Sequence, residues 1–171
     1  MVGRLICFFL VAFTVVQSVR AQGNPAQTSK GDVALRIQRI TKEHPRLFLD
    51  AASFDALKTN LSTFAAGRMA LDRLLFEADC AVAEKPLTRT MEGRRLLGVC
   101  RDALHRMAVL ALAYRLTHKP AYLERASRDL ESVCAFKDWN PSHFLDVAEM
   151  TLAVSVCYDW LYADLERGLR A

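Results

Sequence analysis

Residues 137–162 read KDWNPSHFLDVAEMTLAVSVCYDWLY, and they decide the fold because polar and ionisable side chains stand at the start of an otherwise apolar helix. The Asn140–Pro141 pair predicts the helix start, since asparagine caps free N–H groups and proline fits the first helical position. From Phe144 onward, apolar residues follow helical spacing on nearly every side, which is typical of a buried helix. The stretch therefore predicts a central, buried helix that begins at Asn140.

Three ionisable residues lie in the first turns of this predicted helix. His143, Asp146 and Glu149 follow one another at steps of three residues, so they share one stripe of the helix surface. Burial of such groups without partners is costly. Either they pair with other buried polar groups in a structural network, or they open onto a cavity in which a ligand contacts them, and both interpretations stay open at this point.

The rest of the chain also shows helical periodicity with short connections, and no convincing strand or glycine-rich phosphate loop. The predicted helices cover residues 32–43, 54–61 (capped by Asp50), 64–83, 91–117 and 121–136, and a further helix begins at residue 165. The connection at residues 117–120 is too short for anything but an antiparallel hairpin. No similarity recurs at about 34 residues, so an array of tetratricopeptide type is not indicated. The predicted fold class is all-α, with antiparallel helical hairpins in a closed layer or toroid, or part of one.

The N-terminus has the pattern of a secretory signal peptide. Arg4 precedes an apolar run at residues 5–16, and small residues at 19 and 21 suit a signal peptidase. The apolar run is too short to span a bilayer, so no membrane association is expected after cleavage. The predicted organisation is a signal peptide at 1–21, a flexible polar linker at 22–31 and a helical domain at 32–171, located in the periplasm or secreted.

Charge and cysteine spacing exclude several classes of function. The chain has 23 basic and 19 acidic residues, spread along the sequence in both signs, which does not indicate a nucleic-acid partner. The four cysteines that follow the signal peptide lie outside CxxC and metal-ligand spacing, so neither a metal nor a cofactor is predicted. Their redox state stays open, because an exported protein can form disulfides while buried free thiols fit equally well. They are Cys80, Cys100, Cys134 and Cys157.

Three segments resemble the N-terminal region of heparinase II/III-like polysaccharide lyases. They are HPRLFL at residues 44–49, the stretch at 101–150 that ends in DWNPSHFLDVAEM, and YDWLY at 158–162. The resemblance covers residues 44–162 and is most specific in DWNPSHFLDVAEM and YDWLY. It implies an exported bacterial enzyme that cuts acidic polysaccharides by β-elimination, with an incomplete α/α toroid followed by large antiparallel β-sheet domains.

The chain is short for that architecture. The resemblance therefore implies an N-terminal fragment, truncated at its C-terminus, whose partners are an acidic polysaccharide and missing C-terminal β-sheet domains. In this family the tyrosine and a further histidine that transfer protons lie beyond the region present here. We therefore expect the chain to hold part of the sugar-binding groove and to lack the full catalytic set.

The chemistry of elimination assigns expected roles to the residues of DWNPSHFLDVAEM. A uronic acid needs its carboxylate neutralised, a base for the C5 proton and an acid for the leaving oxygen. By position, the resemblance implies that His143 is catalytic and shares a proton with the sugar carboxylate, and that Asn140 contacts substrate. Asp146 and Glu149 would orient them or bind sugar hydroxyls. Trp139 would form an aromatic wall against a sugar ring, with a core tryptophan as the alternative.

Other interpretations remain at this stage. The chain is alternatively a stand-alone helical module that binds a glycan or a protein without catalysis. A glycoside hydrolase with Asp146 and Glu149 as acid and base is ranked last, because carboxylates three residues apart on one helix are poorly placed for that task. The adjacent Arg94 and Arg95 either grip a uronate or belong to a solvated surface.

Overall fold

The computed structural model describes residues 43–170. The predicted signal peptide, the linker and the helix predicted at 32–43, except its last residue, lie outside the described residues. Within the described part the predicted all-α class is confirmed, since the only strand-like feature there is one isolated bridge between Glu92 and Arg95. The helices are α1 Ala51–Thr63, α2 Ala65–Ala83, α3 Leu97–Thr117, α4 Pro120–Cys134, α5 Phe144–Leu161 and α6 Arg167–Arg170. The toroid implied by the resemblance stays a prediction.

Local signals placed the hairpin helices correctly. Asp50 caps α1 as predicted, because its Oδ1 accepts a hydrogen bond from the Ser53 N–H at 2.8 Å. The α3–α4 hairpin is also confirmed: His118 ends α3 in a left-handed conformation with φ 56°, and Pro120 opens α4. The two helices pack against each other, as the short connection requires.

Helix α3 lies at the centre, with α5 as its most extensive neighbour. α5 packs against α3, and its buried residues include Asp146, Met150, Ala153 and Cys157. The prediction that α5 is buried all round is wrong at its start, where Phe144 is 83% exposed and its neighbour is also exposed. The apolar composition of the stretch predicted too much burial, because the buried face of a helix uses only every third or fourth residue. Other apolar residues of the same helix can therefore remain exposed.

The predicted start of α3 at residue 91 is also wrong, because the helix begins at Leu97. Before it, Glu92 and Arg95 form a tight turn in which each backbone N–H donates to the other residue's carbonyl, at 2.8 and 3.1 Å. Gly93 sits in this turn with φ +61°, a conformation that glycine adopts without steric cost. The residues just before α3 therefore form a short loop instead of another helical turn.

Two of the family-like motifs contact each other through Asp159, in an arrangement we call the Asp159 clasp. His44 Nδ1 lies 2.6 Å from Asp159 Oδ1, and the backbone N–H groups of Arg46 and Leu47 donate to Oδ2 at 2.8 and 2.7 Å. The Trp160 indole N–H donates to the Leu47 carbonyl at 2.8 Å. HPRLFL and YDWLY are therefore one structural unit.

None of the helices in residues 43–170 is both long and apolar enough to cross a bilayer. The four cysteines of this region are free thiols; Cys100 and Cys157 are buried, while Cys80 and Cys134 are exposed. Burial, together with the nearby charges of Asp146 and Glu149, raises the pKa of the Cys100 thiol to about 11, so it stays protonated at neutral pH.

Candidate functional site

The start of α5 is joined to the loop before α3 by two side chains. The Asn140 amide Nδ2 donates to the Arg94 carbonyl at 2.9 Å and to Asp146 Oδ2 at 2.6 Å. The same Asp146 oxygen accepts the Leu96 N–H at 2.8 Å. These two residues, which we call the Asn140–Asp146 bracket, therefore hold the backbone on both sides of Arg95.

Asn140 does not cap α5, so the predicted helix start is wrong. Its φ is +59°, in the left-handed region that asparagine tolerates better than most residues, and α5 begins at Phe144 with His143 as its N-cap. The Asn140 N–H donates to Asp138 Oδ1 and its carbonyl accepts the His143 N–H, at 2.8 and 2.9 Å. Contacts of Asn140 with the distant loop thus override its local capping preference.

His143 and Asp146 each carry a buried polar atom without a hydrogen-bond partner. These atoms are His143 Nε2 and Asp146 Oδ1. Asp146 is fully buried, whereas the His143 residue is half-buried. Buried polar atoms without partners are rare in folded proteins, and they concentrate where a ligand or a catalytic role uses them.

The Asp146 carboxyl is held in its ionised form. Burial would raise its pKa, but the Leu96 N–H, the Asn140 amide and the nearby charges of His143 and Arg95 outweigh burial and lower the pKa below its usual range. A fixed negative charge therefore lies beneath the start of α5, next to an imidazole.

We expect Asp146→Asn to weaken the dependence of stability on acid pH. Since the pKa of Asp146 is lower in the folded chain than the unfolded value of about 3.9, its ionised form stabilises the fold above that pH. This contribution is lost as the pH falls through the folded pKa. Urea unfolding at pH 7 and at acid pH should show a smaller loss for Asp146→Asn than for the wild type. Asp55→Asn, an exposed change on α1, is the matched control, and an acid loss as large as that of the wild type in Asp146→Asn would contradict the assignment.

The other two predicted site residues lie beside this cluster with their own partners. Glu149 is half-buried, and both of its carboxylate oxygens lie 3.3 Å from Arg101 Nε on α3. The Trp139 indole N–H donates to the Val133 carbonyl at 2.8 Å, which anchors the ring to the end of α4. The structure thus brings His143, Asn140 and Asp146 together, and the roles of all five residues in substrate binding or catalysis stay predictions.

The sequence did not predict which neighbouring residues hold this cluster in place. Arg89 donates from Nη2 to Asp138 Oδ1 at 2.6 Å and from Nε to the Asp138 carbonyl at 3.1 Å, which ties the loop after α2 to the segment before α5. Asp138 belongs to a family-like motif, but no local pattern pairs it with an arginine 49 residues away. Phe144 and Leu145, both exposed, add an apolar surface directly after His143.

A surface cavity of about 280 Å³ lies elsewhere, where the chain leaves α2 and meets α3. Its walls include Thr88, Asp102 and Arg106, and none of the five predicted site residues. The Arg106 guanidinium is buried in this wall and pairs with Asp129 of α4. The cavity is therefore separate from the cluster at the start of α5.

Within residues 43–170, no group of three or more histidine, cysteine, aspartate or glutamate side chains is placed to hold a metal ion. No protein-family model matches the chain, and no curated protein matches it significantly. The likeness to heparinase II/III-like lyases rests on the motifs themselves.

Proposed function

We propose that this chain is the N-terminal helical part of an exported polysaccharide lyase, located in the periplasm or secreted, that acts on uronic-acid polymers by β-elimination. In this proposal the helical hairpins form part of an α/α toroid, and the start of α5 forms one wall of the sugar-binding groove. The observation that carries the proposal is the half-buried His143 at the N-terminus of α5, next to a fully buried, ionised Asp146.

The start of α5 suits an anion. α5 has 18 residues, and its N-cap, His143, makes no side-chain capping hydrogen bond. First-turn N–H groups without a capping side chain, together with the helix dipole, favour a negative group at that end of a helix. Asp146 in the first turn supplies one such group from the buried side, and in the proposal the carboxylate of a uronic acid is a second one that approaches from the exposed side.

His143 can neutralise this carboxylate with help from Asp146. The His143 imidazole donates a hydrogen bond to the uronate carboxylate and so makes the C5 proton of the sugar more acidic. Full burial keeps Asp146 away from the sugar, so it is a positioning residue instead of a substrate contact. His143 Nε2 and Asp146 Oδ1 are the buried atoms of these two residues that have no hydrogen-bond partner.

The exposed Phe144 supplies an apolar surface for the sugar ring. It follows His143 directly and is 83% exposed, whereas Trp139 is half-buried and anchored to α4. Aromatic faces pack well against the C–H groups of a pyranose because both surfaces are apolar and flat. Phe144 is therefore a better candidate for the aromatic wall than Trp139.

The proposal predicts binding without turnover by this chain alone, because the proton-transferring tyrosine and second histidine of the family lie beyond the matching region. Calorimetry with oligomers of alginate, hyaluronan and heparin should detect binding, and His143→Ala should weaken it at least about tenfold, as loss of a charge-assisted hydrogen bond implies. His105→Ala, a half-buried histidine on α3 that faces Glu77 at 3.6 Å, is the control and should bind as the wild type does.

Two results would refute the proposal. One is the absence of binding to every uronate polymer at low salt, and the other is wild-type affinity in His143→Ala. Rapid formation of unsaturated uronates by the isolated chain, detected by their ultraviolet absorbance, would refute the incomplete catalytic set while leaving the lyase assignment in place. Circular dichroism of each variant shows whether the fold is retained.

A non-catalytic binding module is the second candidate, and a surface of α2 favours it. Met69 and Phe76 lie seven residues apart on one face of α2, and both are exposed, as expected for a helix face that docks a partner. Hydrogen exchange in the presence of a bound uronate polymer distinguishes the two candidates. Protection of the first turn of α5 supports the lyase proposal, whereas protection confined to α2 supports the module.

A further inference from the structure

We infer that the cavity between the end of α2 and α3 binds a small zwitterion, and that a free α-amino acid with an apolar side chain fits its walls. The cavity lies apart from the start of α5, so this inference does not depend on the proposed function. Its volume of about 280 Å³ is at the lower limit of ligand pockets, which suits one small molecule and not a stretch of polymer.

Two carboxylates in the cavity wall share one guanidinium group. Oxygens of Glu84, just after α2, and of Asp102, on α3, lie 3.5 and 3.6 Å from Arg106 Nη1. The two oxygens are therefore within about 7 Å of each other, which is the sum of these distances. Their side chains are 51% and 39% exposed, so a ligand reaches both. An ammonium group between them forms an ion pair with each carboxylate.

The ion-pair network behind this wall has one more negative group than positive groups. Asp129 pairs with Arg106 and Arg125. Arg106 also meets Glu84 and Asp102, so three carboxylates are linked to two guanidinium groups. Asp129 and Arg106 are almost completely buried, which leaves the negative charge accessible at the cavity wall. A ligand ammonium group at that wall balances the charge of the network.

The loop after α2 supplies hydrogen-bond donors to the same cavity. Lys85 is exposed in the wall, and among residues 43–170 its ammonium group has no ion-pair partner. Thr88 and Thr90 also belong to the wall, and their Oγ1 atoms lie 3.2 Å apart. One of these hydroxyls donates to the other, which leaves the second O–H for a ligand. An ammonium and a hydroxyl together suit a carboxylate.

Apolar residues complete the wall and decide between a zwitterion and a simple ion. Pro86, Leu87 and Val99 line the cavity, so an apolar ligand side chain is removed from water there. A cation without a carboxylate leaves Lys85 unpaired, and an anion without an ammonium group faces two carboxylates. An apolar α-amino acid supplies all three groups that the wall matches.

The loop that carries the donors is held by side chains of α4. Arg125 donates to the carbonyls of Glu84 and Lys85 at 2.7 and 2.8 Å, and the Ser132 hydroxyl donates to the Leu87 carbonyl at 2.6 Å. A fixed backbone lowers the conformational entropy lost on binding, so more of the interaction energy contributes to affinity.

The test measures binding of L-leucine and of two analogues that each lack one charge. 3-Methylbutylamine keeps the ammonium group and the apolar side chain without the carboxylate, and 4-methylpentanoate keeps the carboxylate without the ammonium group. Two-dimensional NMR of the backbone amides both detects and locates binding. We expect leucine to shift amides in residues 84–90 and 99–106, and each analogue to bind at least about tenfold more weakly, as loss of one charged contact implies.

Variants of the wall locate the site independently. Asp102→Asn removes one of the two charges that hold the ammonium group and should weaken leucine binding at least about tenfold. Val99→Phe places a larger side chain at a half-buried position of the wall and should abolish binding by filling the cavity. Glu124→Gln, an exposed change on α4, is the control and should bind leucine as the wild type does.

Three results would overturn the inference. The first is the absence of leucine binding at millimolar concentration in the wild type. The second is equal affinity for leucine and for either analogue, which would indicate a site for a simple ion. The third is unchanged leucine binding in Val99→Phe, which would place the ligand elsewhere. If Asp102→Asn fails to fold, Glu84→Gln provides the same comparison, because it removes the other carboxylate that holds the ammonium group.

Discussion

Asp129→Ala is expected to lower the free energy of unfolding by about 3–5 kcal/mol, because it removes the hydrogen-bonded counter-charge that two buried guanidinium groups share. Arg106 then keeps only its longer ion pairs with Glu84 and Asp102, at 3.5 and 3.6 Å. Asp129 is fully buried and accepts hydrogen bonds from Arg106 Nη2 at 2.8 Å and from Arg125 Nη2 at 2.9 Å and Nε at 3.2 Å. Arg106 is 3% exposed, so water replaces little of what the carboxylate supplies. Removing one partner of such a network costs far more than removing a surface charge.

The same side-chain network also contacts the C-terminal end of α2. Arg125 donates to the carbonyls of Glu84 and Lys85 at 2.7 and 2.8 Å, and these groups lie just after the last turn of α2. Loss of Asp129 therefore has a second effect besides removing a negative charge. It removes the carboxylate that holds the Arg125 side chain in place, and Arg125 is the residue that joins the end of α2 to α4.

Urea unfolding of Asp129→Ala and of Glu131→Ala measures this effect. Glu131 is exposed on the same helix, and its substitution should change stability by less than about 0.5 kcal/mol. A loss below about 1 kcal/mol in Asp129→Ala would show that the two arginines find other partners, and the network would then not be essential to the packing of α2, α3 and α4.

Asp159→Ala is expected to lower the free energy of unfolding by about 2–4 kcal/mol, because each donor left unsatisfied in a buried site costs about 1–3 kcal/mol and solvent reaches part of this site. The variant removes the acceptor of the Arg46 and Leu47 N–H groups and the partner of His44. The loss should concentrate on the segment before α1, since the rest of α5 keeps its packing against α3.

Hydrogen exchange gives the local measurement for the Asp159 clasp. The Arg46 and Leu47 amides should exchange rapidly in Asp159→Ala and slowly in the wild type, while amides in the middle of α3 keep their protection. Asp72→Ala, an exposed change on α2, should leave both sets unchanged. Slow exchange of the two amides in Asp159→Ala would show that another group holds this segment.

Local patterns predicted the helices whose boundaries depend on neighbouring residues. Asp50 and Pro120 act within one turn of their own helices, so capping and proline rules located α1 and α4. The starts of α3 and α5 depend instead on contacts between Asn140 and Arg94 and between Asp146 and Leu96, which are 46 and 50 residues apart. Rules that consider one turn at a time cannot include such contacts.

The candidate site was predictable to a similar extent. The sequence predicted that Asn140, His143 and Asp146 lie near the start of one helix, and they do lie there. Only Asp146 is inside α5, however, because His143 is its N-cap and Asn140 precedes it with a left-handed φ. The loop that completes the cluster comes from elsewhere in the chain, so Arg89 and the backbone of Leu96 were not foreseen. Asp129 was missed for the same reason, since one of its partners, Arg106, lies on a different helix.

The Asp159 clasp has a consequence for the timing of biosynthesis. Leu47 leaves the ribosome 112 residues before the carboxylate that its N–H contacts, and at translation rates of about 5–20 residues per second this corresponds to a delay on the order of ten seconds. During that interval the Leu47 N–H lacks the acceptor that it has in the folded chain. Among the described helices longer than one turn, the last to be synthesised is thus the one that holds the first described segment.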